Sequence, residues 1–168
     1  MREIVFDTET TGLSYNAGHR LVEIGCVELV NRVPTGRSFH RYLNPDRDMP
    51  VEAFAVHGLS EAFLADKPRF PEICDELIEF MGDCPLIAHN AMFDFGFLNG
   101  ELKSCGRPLL QVERIVDTLT MARARHPGAK HTLDALCVRY GIGLSARELD
   151  GALLGAQLLA EGVIVVAA

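Results

Sequence analysis

FDTETTG, at residues 6–12, continues the apolar run EIVFD (3–7), which is typical of a short buried strand. Asp7 and Glu9 are two residues apart, so an extended chain points both carboxylates to the same side. Two acidic groups this close repel each other unless a cation neutralises them. Oxygen ligands at a strand end suit Mg²⁺ or Mn²⁺, which keep water and phosphate in their remaining positions. The stretch therefore predicts a metal site, against the simpler alternative of an acidic surface turn.

A second acidic segment, LIAHNAMFDFGFL (86–98), is predicted to be a strand followed by a helix with Asp94 in its first turn. An aspartate there can simply favour the helix dipole. Taken with residues 6–12, however, it supplies a third carboxylate at another strand end, as a two-metal phosphodiester site requires. Residues 10–12 add two hydroxyls and a glycine, which lets the backbone approach a ligand.

The rest of the chain is predicted to form strands first and then alternating helices and strands. Strands are predicted at 3–7, 20–30, 36–43, 85–89 and 113–117, and helices at 71–82, 92–106, 118–125, 132–140 and 151–161. Short connections, including a Pro/Thr/Gly turn at 34–36, favour an antiparallel meander for the first three strands. The predicted class is therefore α/β, a mixed central sheet with helices packed on it, in one domain spanning 1–168.

Composition sets limits on the partners and on the compartment. The net charge of −7 argues against a general nucleic-acid coat protein, but it allows an enzyme that grips a strand end through metal ions. No apolar run reaches the length of a membrane span, and the N-terminus lacks the regions of a signal peptide, so we expect a cytoplasmic protein without a membrane partner. The cysteines are odd in number and lack CxxC spacing, which predicts reduced thiols. They are Cys26, Cys74, Cys84, Cys105 and Cys137.

The two acidic segments resemble the first two motifs of the DEDD exonucleases, which have the ribonuclease H-like fold. The resemblance is greatest to the DEDDh branch that proofreads for bacterial replicative DNA polymerases. It extends over nearly the whole chain and includes VHGLS (56–60), DKPRF (66–70) and TLDALCVRYGI (132–142).

This resemblance implies 3′→5′ removal of nucleoside monophosphates from a DNA 3′ end by two-metal hydrolysis with Mg²⁺ or Mn²⁺. Asp7 would bridge both metals, Glu9 would help to hold the metal that activates water, and Asp94 would serve the second metal. The residues implied near the terminal nucleotide are Thr10, Thr11, Gly12, His57 and Phe93. The implied partners are a DNA 3′ end and the catalytic subunit of a replicative polymerase.

RELDGALLGAQLLAEG (147–162) departs from the third motif of this family, which carries a His, four residues and then an Asp. Asp150 stands at the His position and Gly155 at the Asp position. Gly155 has no side chain, so one metal would lose a carboxylate ligand. Asp150 is a weaker base than histidine, and it is interpreted either as a helix N-cap or as a replacement metal ligand among the catalytic residues.

Three interpretations account for this departure from the third motif. The first is an exonuclease with reduced activity. The second is a catalytically silent paralogue that acts as a DNA-end or polymerase-binding scaffold. The third is a deliberate exchange of the two residues.

The remaining histidines and one aspartate receive simpler interpretations. His19, His40 and His126 are predicted to be surface residues, and Asp134 to be a first-turn helix residue. His131, just before that helix, is considered as a contact to the DNA backbone, although a structural role is the stronger expectation.

Overall fold

The computed structural model describes residues 1–132, 135, 152, 155–157 and 159–160. Its centre is a five-stranded sheet in the order β3-β2-β1-β4-β5. The strands are β1 (Arg2–Thr10), β2 (Leu21–Val30), β3 (Val33–Tyr42), β4 (Leu86–Ala88) and β5 (Ile115–Asp117). The pairs β1–β2 and β2–β3 are antiparallel, whereas β1–β4 and β4–β5 are parallel. The predicted mixed sheet, antiparallel over its first three strands, is confirmed.

The hairpin between β2 and β3 is tighter than the sequence predicted. The turn consists of Asn31 and Arg32, both with positive φ (51° and 66°), and Val30 pairs with Val33 on either side. Two successive positive φ angles give the turn whose twist suits a two-residue hairpin. The prediction of a Pro/Thr/Gly turn at 34–36 is therefore wrong. Those residues lie within β3, where a proline is tolerated because the strand is at the sheet edge.

Five helices are bounded within the described residues: α1 (Val51–His57), α2 (Glu61–Leu64), α3 (Phe70–Met81), α4 (Ala91–Ser104) and α5 (Thr118–Arg125). Short 3₁₀ turns occur at Tyr15–Ala17 and Val112–Arg114. The predictions for α3, α4 and α5 are confirmed to within a few residues, whereas α1 and α2 were not predicted. The predicted helix at 132–140 lies almost wholly outside the described residues.

The sheet is covered on both faces. On one face α3 and α4 enclose the larger core, which includes Ile4, Phe6 and Cys26 from the strands. On the other face Ala156, Leu159 and Ala160 pack against Val5, Val27, Leu29 and Ile87. These C-terminal residues are helical, in agreement with the prediction for 151–161. Side chains alternate along a strand, so Val5 shares its face of β1 with Asp7 and Glu9.

Two sequence expectations can be compared with the described part of the chain. Cys26, Cys74, Cys84 and Cys105 are free thiols, as predicted, and Cys137 lies outside the described residues. Over the same described residues, none of the helices has both the length and the apolar character that crossing a membrane requires.

Candidate active site

Asp7 and Glu9 lie on the central strand and project from the same face, as predicted. In the antiparallel register Asp7 is opposite Gly25, and Glu9 is opposite Glu23. A register shift directly after Glu9 marks a bulge or irregularity near the end of β1. Both carboxylates are half-buried, so they border an opening rather than the closed core.

Asp94 approaches the end of β1 from the first turn of α4. It is 4% exposed, and its carboxylate accepts a hydrogen bond from the hydroxyl of Thr8. Burial, followed by the negative charges of Asp7 and Glu9, raises the pKa of the Asp94 carboxyl well above its usual range. The three predicted metal ligands are thus within electrostatic reach of one another, and their mutual repulsion favours a bound cation.

Asp117 is a residue of this site that the sequence interpretation did not identify. Its carboxylate accepts from the backbone N–H groups of Asn90 and Ala91, which begin α4, at 2.9 and 3.1 Å. It also accepts from the N–H of Leu119 at 2.9 Å and so caps α5. One side chain therefore fixes the starts of two helices, one of which carries Asp94. The signal in the sequence was an aspartate at the end of a predicted strand, directly before a predicted helix.

A cavity of about 560 Å³ opens beside Glu9, on the side of α1. All five residues predicted to contact a nucleotide line it: Thr10, Thr11, Gly12, His57 and Phe93. Phe93, in the first turn of α4, is half-buried and packs its ring 5.2 Å from that of Phe97. An aromatic ring at the border of a mainly apolar cavity can stack on a nucleobase.

His57 fastens α1 over this cavity. Its Nε2–H donates to the carbonyl of Thr10 at 3.0 Å, while its Nδ1 accepts from the N–H of Leu59 at 3.0 Å. Burial lowers the pKa of His57, which is consistent with the neutral ring that this pattern requires. His57 therefore both lines the cavity and holds α1 to the end of β1.

The threonines of the first motif also stabilise their own turn. The Thr10 hydroxyl donates to the carbonyl of Gly12 at 2.5 Å, and the Thr11 hydroxyl accepts from the N–H of Arg20 at 3.0 Å. His19, expected at the surface, is half-buried, with Nδ1 2.9 Å from the hydroxyl of Thr11. A side chain at Gly12 would overlap the His19 ring, since a Cβ there would lie 2.4 Å from its atoms. Gly12 is therefore required for close packing beside the cavity.

His40 and His131 also make contacts that the sequence did not indicate. His40, expected at the surface, is half-buried and bonded to Glu23. The backbone carbonyl of His131 accepts from the ring of His89, and His131 lines a second cavity of about 530 Å³ together with Asp7 and Arg123. The expected contact of His131 with DNA stays a prediction.

The donor set suits a hard divalent cation. The described residues contain no three or more His, Cys, Asp or Glu side chains already arranged as a metal cage. The converging donors are nevertheless carboxylate oxygens, which Mg²⁺ and Mn²⁺ prefer, and the pKa of Asp94 is raised first by burial and then by the negative charges of Asp7 and Glu9. Asp7, Glu9 and Asp94 therefore fit the predicted metals.

The third motif is described only in part. Gly155 is buried within a helix, next to Ala156, which packs on the face of β1 that carries Asp7 and Glu9. The helix thus lies on the side of the sheet where a further ligand would be useful, but position 155 offers no donor. Asp150 and Asp134 lie outside the described residues, so their predicted roles stay predictions.

The fold and this site define a class of protein: the chain belongs to the exonuclease family, whose sequence profile matches residues 4–151. It is similar to the DNA polymerase III subunit epsilon of Rickettsia felis, with 54% identity over 164 residues that cover 96% of this chain and 72% of that protein. It is also similar to the DNA polymerase III subunit epsilon of Escherichia coli K12, with 47% identity over 167 residues that cover 95% of this chain and 69% of that protein. The predicted membership of the exonucleases is confirmed.

Solved structures agree with this assignment. Exonuclease X in complex with 5′ overhanging duplex DNA superposes with a TM-score of 0.73 at 26% identity, covering 98% of this chain and 90% of that one. The nuclease domain of 3′hExo, a DEDDh family member bound to rAMP, gives a TM-score of 0.82 at 15% identity, covering 99% and 91%. The second likeness shows that the DEDDh fold is shared.

Proposed function

We propose that the chain, as a single domain over 1–168, is a metal-dependent 3′→5′ exonuclease that trims DNA 3′ ends. The observation that carries this proposal is that the buried Asp94 lies within electrostatic reach of Asp7 and Glu9, and that Glu9 lines the mainly apolar cavity. The epsilon-subunit relatives support a proofreading role beside the catalytic subunit of a replicative polymerase. The complex of exonuclease X with DNA supports a nucleic-acid substrate. We place the chain in the cytoplasm, where such a polymerase works.

Under this proposal, some residues would bind the metal ions and others would position the nucleotide. Asp7, Glu9 and Asp94 would hold Mg²⁺ or Mn²⁺, which supplies water activation and stabilisation of the leaving oxygen. Phe93 offers its ring to the terminal base, and His57 keeps α1 closed over the cavity. The apolar lining excludes water from the bound nucleotide, which strengthens the electrostatic interactions near the scissile phosphate.

We further propose that the activity is reduced. Gly155 provides no carboxylate on the face of the sheet where Asp7 and Glu9 project, so one metal is held by fewer ligands. Asp150 would replace a histidine, and general-base contributions are on the order of 10²- to 10⁴-fold. One firm metal site and one weak site are expected, which calorimetry with Mn²⁺ can resolve.

The test is Mn²⁺-dependent digestion of a 5′-labelled single strand. The parent chain is expected to shorten the strand slowly from its 3′ end, and Asp7→Ala to abolish this. Asp75→Asn is the matched control, because Asp75 is an exposed aspartate on α3 that pairs with Arg107. The double variant Asp150→His, Gly155→Asp is expected to raise the rate by at least about 10²-fold. An inert double variant would show that the third motif is wrongly assigned.

The alternative function is a catalytically silent scaffold that binds a DNA end or a polymerase. The absence of a side chain at position 155 favours it, since a two-metal site needs that ligand more than a binding site does. It predicts that the parent and Asp7→Ala are equally inactive in Mn²⁺ but bind a labelled single strand. Digestion by the parent that Asp7→Ala removes excludes the scaffold.

A further inference from the structure

Glu23 is a buried carboxylate next to the proposed metal ligands. It lies on β2, is 1% exposed, and pairs in register with Glu9 on β1. Residues directly opposite in an antiparallel pair project on the same face, with Cβ atoms about 4.5–5.5 Å apart. Glu23 therefore lies beside Glu9 on the face that also carries Asp7.

The polar contacts of Glu23 leave its charge poorly compensated. The Nε2–H of His40 donates to one carboxylate oxygen at 2.6 Å. The other oxygen, Oε1, is buried without a hydrogen-bond partner, and within the described residues no arginine or lysine forms an ion pair with Glu23. A buried acceptor without a partner costs stability, and so does a carboxylate directly opposite another.

Glu28 shows how the same strand accommodates a buried carboxylate for stability alone. It is 4% exposed on the opposite face of β2 and pairs with Arg2 and Arg37, with a further hydrogen bond from Thr35 at 2.7 Å. Glu23 has no such set of partners, although it is buried as deeply. What distinguishes the position of Glu23 is its place beside Glu9 and its electrostatic influence on His57.

We propose that Glu23, held by His40, is a positioning residue whose negative charge strengthens cation binding at Glu9. The carboxylates of Glu9 and Glu23 would both attract a divalent cation held at Glu9, and its charge would relieve the repulsion between them. This inference rests on the proposed function, because it assumes that Asp7, Glu9 and Asp94 form the metal site. It assigns Glu23 no contact with the substrate.

The test compares Glu23→Gln with Glu28→Gln, two isosteric changes on one strand. Calorimetric titration with Mn²⁺ gives the Kd, and thermal unfolding without metal and with saturating Mn²⁺ gives Tm. For Glu23→Gln we expect a Kd about 3- to 10-fold higher, an equal or higher metal-free Tm, and a smaller rise of Tm on adding Mn²⁺. For Glu28→Gln we expect a lower metal-free Tm and a Kd within about twofold of the parent.

Three results would contradict the proposed role of Glu23. A Kd of Glu23→Gln equal to that of the parent overturns the proposal, and so does a metal-free form that unfolds earlier than the parent or does not fold. A parent that binds no Mn²⁺ overturns it as well. The proposed function is judged separately by strand digestion: a parent that binds Mn²⁺ but cuts nothing contradicts the exonuclease activity and leaves the role of Glu23 in cation binding standing.

Discussion

Glu101 shows how the burial of a single residue makes stability depend on pH. It is 7% exposed on α4, and burial raises the pKa of its carboxyl to about 7, with Arg20 at 3.9 Å as a partial offset. The unfolded chain releases this proton near pH 4.5, whereas the folded chain retains it to about 7. The folded state thus binds more protons between these values, and the free energy of unfolding falls as the pH rises through that window.

We therefore expect Glu101→Gln to change stability little at pH 4 and to raise it by about 1–3 kcal/mol at pH 8. Urea unfolding at the two pH values measures the difference. Glu79→Gln, an exposed glutamate on α3, is the control and should have little effect at either pH. Equal stabilisation by Glu101→Gln at pH 4 and pH 8 would mean that its charge is not the cause.

At the same scale, residue types and spacing singled out Asp7, Glu9 and Asp94, whose roles as metal ligands stay predictions. The alternation of Asp7 and Glu9 and the first-turn position of Asp94 make them visible in the sequence, and the structure brings Asp94 within electrostatic reach of the other two. Glu23 and Glu101 could not be predicted in this way. Their burial is produced by strands and helices that are distant in sequence, and a glutamate in a strand or helix pattern otherwise indicates a solvent-exposed face.

At the scale of elements, Asp117 joins the starts of α4 and α5, and its loss should affect both. Asp117→Asn keeps one acceptor oxygen but removes the charge that faces three backbone N–H groups. We expect a loss of about 1–2 kcal/mol in unfolding free energy. Exonuclease activity should fall about tenfold because the turn that carries Asp94 is no longer fixed. Ser60→Ala removes the cap of α2 and is the control: it should lower stability but not activity.

The element α1 should respond to pH through His57. Its pKa is lowered by burial, so the unfolded chain, with an ordinary pKa of 6.5, binds a proton before the folded chain does. The stability that neutral His57 gives to the packing of α1 is therefore greatest above pH 6.5 and decreases as the pH falls below 6.5. Hydrogen exchange of the α1 amides, corrected for intrinsic rates, should show less protection at pH 5.5 than at pH 7.5. His57→Gln should remove this dependence, and its persistence would assign the effect to another group.

Among the elements, the predicted ones are those with a clear period or a clear cap. The α3 pattern and the strand of residues 20–30 followed directly from apolar spacing. By contrast, five of the seven residues of α1 are apolar although none is fully buried, so the sequence does not separate an apolar side from a polar one as in an amphipathic helix. The turn at Asn31 and Arg32 was missed because a proline and a glycine nearby gave a stronger turn signal than the residues that form it.

At the scale of the whole molecule, the site is assembled from both faces of the sheet. The class and strand directions could be predicted because strands followed by alternating elements allow few arrangements. The sequence alone did not show what would lie opposite α4. The packing of Ala156, Leu159 and Ala160 on Val5 and Ile87 brings the third-motif helix onto the face that carries Asp7 and Glu9.

This two-sided assembly leads to a prediction for Gly155→Asp alone. Without metal, a carboxylate added at this buried position, on the helix that packs on the face carrying Asp7 and Glu9, should lower the free energy of unfolding by about 1–3 kcal/mol. With Mn²⁺ the same carboxylate becomes a ligand, so the rise of Tm on adding metal should be larger than in the parent.

Gln157→Asp is the matched control for this variant, because it adds the same charge to the exposed side of the same helix. It should alter neither the metal-free Tm nor the response to Mn²⁺ by a comparable amount. If Gly155→Asp destabilises the protein equally with and without Mn²⁺, position 155 does not face the metals. The low activity proposed for this chain would then require a cause outside the third motif.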